Sequence, residues 1–164
     1  MTQLKQATTQ EDADLIAQLA KEIWEEHYTA ILGEEQVAYM LTHLQSAAAI
    51  HQEILDGKAY FLVESHQTAI GYLSYALSAE QLFLSKLYLK SSSRGNGIGK
   101  ELIEKLKNTA NEANKKTVFL TVNKFNHPTI AVYKKLGFKI IEEQVADIGH
   151  GYVMDDYIME YRLP

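Results

Sequence analysis

Arg94-Gly95-Asn96-Gly97-Ile98-Gly99-Lys100 follows a run of strand character, Leu82-Phe83-Leu84-Ser85-Lys86-Leu87-Tyr88-Leu89. It opens a stretch that carries Leu102, Ile103, Leu106 and Ala110 on one helical face. The β-branched run Thr117-Val118-Phe119-Leu120-Thr121-Val122 comes next. Strand, glycine loop, helix and strand form a βαβ unit, whose two strands should be parallel with a right-handed crossover. At such a helix start the unpaired backbone N–H groups converge where the helix dipole is positive, and close-set glycines let an anion approach without Cβ clashes. Arg94 and Lys100 add positive charge. From the glycines alone, a phosphate cradle and a plain helix entry built of turn residues stand level.

Spacing decides between phosphate ligands. A dinucleotide fingerprint needs G-x-G-x-x-G and an acidic residue after the next strand, whereas Gly95, Gly97 and Gly99 run G-x-G-x-G. A Walker loop sets its glycines five positions apart and follows Lys with Ser or Thr, but Gly95 and Gly99 are four apart and Glu101 follows Lys100.

Upstream, Leu4 to Thr8 reads as a short strand, and Thr9 has the character of an N-cap with Asp12 at the third helical position. Leu15, Ile16, Leu19, Ile23 and Trp24 then keep helical spacing to about Tyr28. A second helix carries Val37, Met40, Leu41 and Leu44, and a third runs from Ser46 to a stop at Gly57. Tyr60–Val63, Ala69–Tyr75 and Leu82–Leu89 read as three strands of an antiparallel meander. Downstream, a short helix from Pro128 to Leu136 ends at Gly137, and Phe138–Val145 and Asp156–Leu163 read as a closing strand pair. The class is α/β with a mixed sheet.

The chain has 164 residues, the length of one domain, and no linker or repeat divides residues 1–164. Its 46% hydrophobic and 23% charged residues are globular proportions that argue against disorder. No apolar run reaches the roughly 18 residues of a membrane span, and the N-terminus lacks a secretory pattern, so a soluble cytoplasmic protein is expected. The absence of cysteine excludes disulfides, thiolate metal sites and cysteine nucleophiles. A net charge of −5 argues against a general nucleic-acid binder and weakly favours a cationic ligand. The six histidines contain no pair at ligand spacing, so no metal is expected.

What does fit the loop is Arg-x-x-Gly-x-Gly, as Arg94, Gly97 and Gly99, five residues beyond Leu89. This resembles the acetyl-CoA-binding motif of the GNAT superfamily of N-acetyltransferases. A second block is similar to that family's signature: Val122-Asn123-Lys124-Phe125-Asn126, then Ala131-Val132-Tyr133-Lys134-Lys135-Leu136-Gly137-Phe138. The resemblance covers most of the chain. It implies a GNAT-like fold, with a mixed central sheet of about seven strands, a splayed parallel strand pair and flanking helices.

The resemblance also implies roles. The pantetheine arm of acetyl-CoA would pair with the main chain of Leu87, Tyr88 and Leu89, and the pyrophosphate would meet the amides of Arg94, Gly95, Asn96, Gly97, Ile98, Gly99 and Lys100. Asn126 and Lys135 would contact the cofactor, although Asn126 also reads as the cap of the helix that Pro128 helps to start. Tyr133, seven residues after Asn126, has the interval of the family's proton donor to the CoA sulfur, while its spacing from Ile130 and Leu136 equally suits a core residue. The implied chemistry is direct attack of an amine on the thioester, with no covalent intermediate. A base or water relay must first take the amine's proton. The base is not identified, and because Ser85 and Lys86 stand where some relatives place a glutamate, a water-mediated relay is the expectation.

Trp24-Glu25-Glu26-His27-Tyr28-Thr29-Ala30-Ile31-Leu32 with Gln36-Val37-Ala38-Tyr39-Met40-Leu41, and Asp147 through Met159, resemble the bacterial spermine/spermidine N-acetyltransferases within the family. A polyamine acceptor is therefore implied, with Glu25, Tyr28, Asp156 and Tyr157 as acceptor-binding residues; Glu26 and Asp155 also carry suitable charge. For the glutamates, a solvated helix face is an equal reading. Other readings are a GNAT acetylating another small amine, an antibiotic or a protein N-terminus, and an inactive CoA-binding regulator. The partners implied are a small-molecule amine, with no nucleic acid or membrane; a homodimer is an assembly the resemblance allows.

Overall fold

The computed structural model describes residues 2–164. In chain order the elements are β1 (Thr2–Gln6), α1 (Gln10–His27), α2 (Thr29–Leu32), α3 (Glu34–His43), α4 (Ala47–Leu55), β2 (Ala59–Ser65), β3 (Thr68–Leu77), β4 (Gln81–Leu89), α5 (Ile98–Glu112), β5 (Thr117–Asn123), α6 (His127–Lys135), β6 (Lys139–Gly149) and β7 (Tyr152–Arg162). The strands form one seven-stranded sheet in the order β1-β2-β3-β4-β5-β7-β6. The β4–β5 pair is parallel, and β1–β2, β2–β3, β5–β7 and β6–β7 are antiparallel. The fold is thus α/β with a mixed sheet. The residues group into two compact units: the chain up to Tyr75 with Lys86–Gly99, and Ala76–Ser85 with Lys100–Pro164.

The first unit is organised by its caps and its aromatic residues. Thr9 and Asp12 close a reciprocal capping box at the start of α1, where each side chain accepts from the other's backbone N–H. The helix then buries Ile16, Leu19, Ile23 and Trp24, which recur at helical spacing. Trp24 donates its Nε1–H to Tyr72 Oη at 3.3 Å, and Tyr72 donates to Gln45 Oε1 at 3.0 Å, so the polar tips of these buried rings are satisfied. Tyr28 stacks on Trp24, and Tyr88 meets Trp24 edge-on.

The second unit is built on β5, which carries β4 residues Gln81–Leu84 on one edge and β7 on the other. Leu82, Leu84, Val118, Leu120 and Met159 are buried, as are Leu102, Ile103 and Leu106 of α5. Lys107 of α5 is buried too: its Nζ donates to the Leu136 carbonyl at 2.7 Å and lies 3.9 Å from the Tyr161 ring centroid.

Three boundaries differ from the sequence reading. The first strand is Thr2–Gln6 rather than Leu4–Thr8. A short helix α2, broken from α3 by Gly33 at φ +89°, fills the gap after Tyr28. The closing pair is longer than expected: β6 reaches Gly149 and β7 begins at Tyr152, so Asp156 and Tyr157 lie inside the last strand instead of starting it. Gly149, His150 and Gly151 all have positive φ and turn the hairpin, which lets the strands pair as far as Gly149 and Tyr152.

Candidate active site

The β4–β5 ladder holds four pairs, from Gln81–Thr117 to Leu84–Leu120, while β4 runs on to Leu89 and β5 to Asn123. A parallel strand whose ladder stops short keeps backbone N–H and C=O groups that an extended ligand can pair with. In the first unit, that part of β4 is held from its other side. Gly71 of β3 comes so close that a Cβ built on it would lie 2.2 Å from the Tyr88 carbonyl oxygen. The Lys90 N–H donates to the Ile70 carbonyl at 2.9 Å, and Arg94 donates Nε–H and Nη2–H to the Leu89 carbonyl at 3.2 and 2.9 Å. Arg94 is thereby a clasp on the end of β4, with Nη1 3.5 Å from His27 Nδ1.

The loop after Arg94 takes the shape its glycines allow. Gly95 and Gly97 sit at φ +80° and +76°, which side chains rarely tolerate, and α5 starts at Ile98. A Cβ built on Gly95, Gly97 or Gly99 meets nothing within 4 Å, so the space next to these glycines is open. The first turn of α5 has backbone N–H groups with no intrahelical acceptor, and these suit a phosphate. Arg94, Asn96 and Lys100 are exposed around it. The predicted anion cradle fits the residues present.

In the second unit, Asn126 is 2% exposed and starts α6, with Pro128 in the first turn. Its side chain does not bond the helix's first N–H groups, so the capping role read from the sequence is not the one adopted. Tyr133 is buried at 8% exposure, its ring centroid 5.7 Å from that of Phe138. Lys135 is exposed on the last turn of α6.

Five polar residues gather at the end of β5. Asn123 Oδ1 accepts from the Phe125 N–H at 2.9 Å, tying the turn out of β5. Lys124 bridges Asp155 at 2.9 Å and Glu143 at 3.3 Å. Asp156, paired across the ladder with Asn123, has a buried Oδ1 with no hydrogen-bond donor. Burial, and then the neighbouring Asp155, push its carboxyl up to about 6.

The acceptor candidates of the first unit divide. Tyr28 is 8% exposed within the Trp24–Tyr88 aromatic group, whereas Glu25 and Glu26 lie on the exposed face of α1. Tyr39 stacks on His43. An open cleft of about 1050 Å³ sits at the start of β4 and β5, lined by residues such as Ser78, Lys116 and Arg162, and includes none of these candidates.

Sequence reasoning missed two arrangements. Lys86 of β4 is engaged with the first unit: its Nζ donates to Tyr60 Oη at 2.5 Å and lies 3.6 Å from Glu53, and Tyr60 donates to Glu53. The close approach at Gly71 was also unread, although a glycine inside the strand run Ala69–Tyr75 is a signal for it.

Residues 16–138 match the acetyltransferase (GNAT) family. That match covers most of the chain, and the chain belongs to this family of acetyltransferases. It is 24% identical over 142 residues to a spermidine N(1)-acetyltransferase of Thermoplasma acidophilum, covering 84% of this chain and 88% of that protein. It is 28% identical over 150 residues to an uncharacterized N-acetyltransferase of Mycobacterium bovis, covering 90% and 96%. Among solved structures, the PaiA N-acetyltransferase from Thermoplasma acidophilum in complex with coenzyme A superposes with a TM-score of 0.82 at 23% identity, over 99% of both chains.

Proposed function

We propose that this acetyltransferase moves the acetyl group of acetyl-CoA to a primary amine of a polyamine such as spermidine, within one catalytic domain of residues 1–164. The donor half is supported by a β4–β5 ladder that ends at Leu84–Leu120 and by the open glycine loop that follows β4 in the chain. Main chain at Leu87 and Leu89, on the edge of β4 turned away from β3, takes the extended arm with Tyr88 between them, and the amides from Arg94 to Lys100 take the pyrophosphate. Asn126 and Lys135 complete the cofactor contacts. What acetyl-CoA supplies is a thioester carbonyl open to attack.

The chain's own groups then have defined tasks. Backbone N–H groups of β4 hold the carbonyl oxygen as charge develops on it. The Tyr133 phenol gives its proton to the departing sulfur, which lowers the cost of expelling a thiolate. In the second unit the half-buried Asp156 supports a cationic acceptor together with Tyr157. The spermidine-acetylating relative supports the same acceptor class.

The test is CoA-thiol release from acetyl-CoA with spermidine, spermine, lysine, an aminoglycoside and a peptide N-terminus. Turnover is expected on the polyamines. Tyr133→Phe should lower kcat about 100-fold or more while leaving acetyl-CoA binding within about twofold. Activity on another acceptor alone would discard the polyamine reading, and binding of acetyl-CoA with no turnover on any amine would discard catalysis.

A further inference from the structure

We propose that Asp156 is the catalytic base, the group that takes the proton from the attacking amine. This rests on the acetyl-transfer reading above and names the group that reading left unassigned.

The strand pleat separates two acids that are adjacent in sequence. Side chains alternate across β7, so Asp155 and Tyr157 share one face, and Asp156 and Ile158 the other. Cross-strand partners share a face, which puts Glu143 with Tyr157, and Asn123 and Gln144 with Asp156. Lys124 follows the first set: it binds Asp155 and Glu143 and lies 5.7 Å from the Tyr157 ring centroid. The cation that would otherwise neutralise the region is therefore committed to Asp155.

Asp156 faces only uncharged partners across both ladders, Asn123 on β5 and Gln144 on β6. Further along that face the charged groups are Glu142 and Glu160, with Lys139 opposite Glu160 and Arg162 six positions along β7, so the cations of this face lie at the far end of the strand from Asp156. Thr121, Phe119 and Ile158, all half-buried, make the rest of the face beside β5 largely apolar. A carboxylate at the end of such a strip, with a buried Oδ1 lacking a donor, is short of one cationic or N–H partner. Asp156 also sits level with Asn123, the last residue of β5, and ligands of open α/β sheets bind beyond the carboxyl ends of their strands.

The step balances simply. An alkylammonium N–H bond breaks and an O–H bond forms on Asp156. The freed nitrogen lone pair attacks the thioester carbonyl carbon, the C–N bond forms and the C–S bond breaks. The sulfur takes the Tyr133 proton, the amide nitrogen gives up its surplus proton to restore the phenol, and Asp156 returns its proton to water. An alkylammonium has a pKa of about 10, so an ordinary carboxylate is a poor acceptor for its proton. The raised basicity of Asp156, about 6, narrows that mismatch while leaving the group ionised at neutral pH.

Two measurements test this on the whole protein. The first follows kcat and KM for spermidine against pH in wild type and Asp156→Asn. Wild-type kcat should fall as pH drops through about 6. The variant should lose about 100-fold or more in kcat, and with it that acid limb. The second follows the Asp156 carboxyl of the wild type by carbon NMR, without acetyl-CoA, and should find it titrating near 6 rather than near 4. A variant that keeps its kcat and only raises the spermidine KM makes Asp156 an anchor for a remote ammonium and overturns the proposal. So does a carboxyl that titrates near 4, a result that stands even where the variant does not fold. Wild type without turnover on any amine removes the acetyl-transfer reading and this step with it, whereas polyamine turnover with an unaffected variant removes only this step.

Discussion

Replacing Gly71 by alanine puts a methyl group where the structure has the β4 main chain. The added Cβ would lie 2.2 Å from the Tyr88 carbonyl oxygen, 2.8 Å from Leu89 Cδ2 and 3.1 Å from Leu89 Cα. Ordinary contact begins near 3.4 Å, so β4 must retreat from β3 by more than an ångström at this point. The Leu89 methyl can rotate away, but the Tyr88 carbonyl is backbone. It lies next to the carbonyl that Arg94 clasps and the N–H that Lys90 gives to Ile70. Overpacking of this kind costs about 1–3 kcal/mol, and for a chain of this size that is roughly 2–12 °C in Tm. The same retreat displaces the Leu87–Leu89 main chain proposed to hold the pantetheine arm, so the acetyl-CoA KM should rise about tenfold or more, given that misplacement by an ångström costs up to about 100-fold. Thermal unfolding and steady-state kinetics on one preparation read both effects. A variant with wild-type Tm and wild-type acetyl-CoA KM would refute the close approach and the role given to this part of β4.

Three further outcomes follow from the capping box of α1 and from buried Lys107. The Thr8 N–H, followed by the Thr9 N–H and hydroxyl and Lys5, holds the Asp12 carboxyl below its ordinary value against the opposing effect of burial. A lowered folded pKa contributes stability that is fully present above the unfolded value of about 4 and is lost as pH falls through the folded one. Urea midpoints should therefore drop more steeply below pH 4 in wild type than in Asp12→Asn, and Thr9→Ala should cost about 1 kcal/mol at neutral pH. Lys107→Met should cost about 1–3 kcal/mol by urea unfolding, because it removes the bond to the Leu136 carbonyl at the end of α6 and the contact with the Tyr161 ring. A loss below about 0.5 kcal/mol would be the effect of an ordinary surface position and would contradict that role.

The parts of this fold that were legible in the sequence are those set by neighbours a few residues apart. Thr9 with Asp12, Ser46 before α4 and the glycines ahead of α5 each act within one turn, so their residue types announce the element they start. The contacts that were not legible join distant positions. Gly71 against Tyr88, and Lys86 against Tyr60 and Glu53, depend on which strands become neighbours, and no local pattern encodes that. The start of β7 was misjudged because Tyr152-Val153-Met154-Asp155-Asp156 carries two residues that local propensity assigns to turns. Pairing of those residues along the β6 ladder, with Asp156 also on β5, overrides that preference, and Lys124 compensates one of the two charges.

That compensation bears on how the site divides its work between backbone and side chains. On β4, the one basic side chain at the expected base position is spent inside the first unit: burial lowers the Lys86 pKa, and Glu53, held also by Tyr60, opposes that shift and keeps the ammonium paired. A lysine so committed has no lone pair to take a proton from substrate, and what β4 retains for a ligand is its main chain. A backbone N–H can orient a thioester and stabilise an oxyanion, but it cannot accept a proton. The proton chemistry must then reside in side chains from elsewhere in the chain. Of the second unit's candidates, Tyr133 is proposed as the donor, since a phenol carries its proton at neutral pH, which leaves the acceptor's role to a carboxylate. Asp155 is neutralised by Lys124, and Asp156 is the half-buried carboxylate at the end of β5 without a cation. Moving Lys124 to the other acid, or replacing Asn123 by a basic residue, would make Asp156 too weak a base, so the placement of one lysine on the opposite face of β7 is what keeps this carboxylate available.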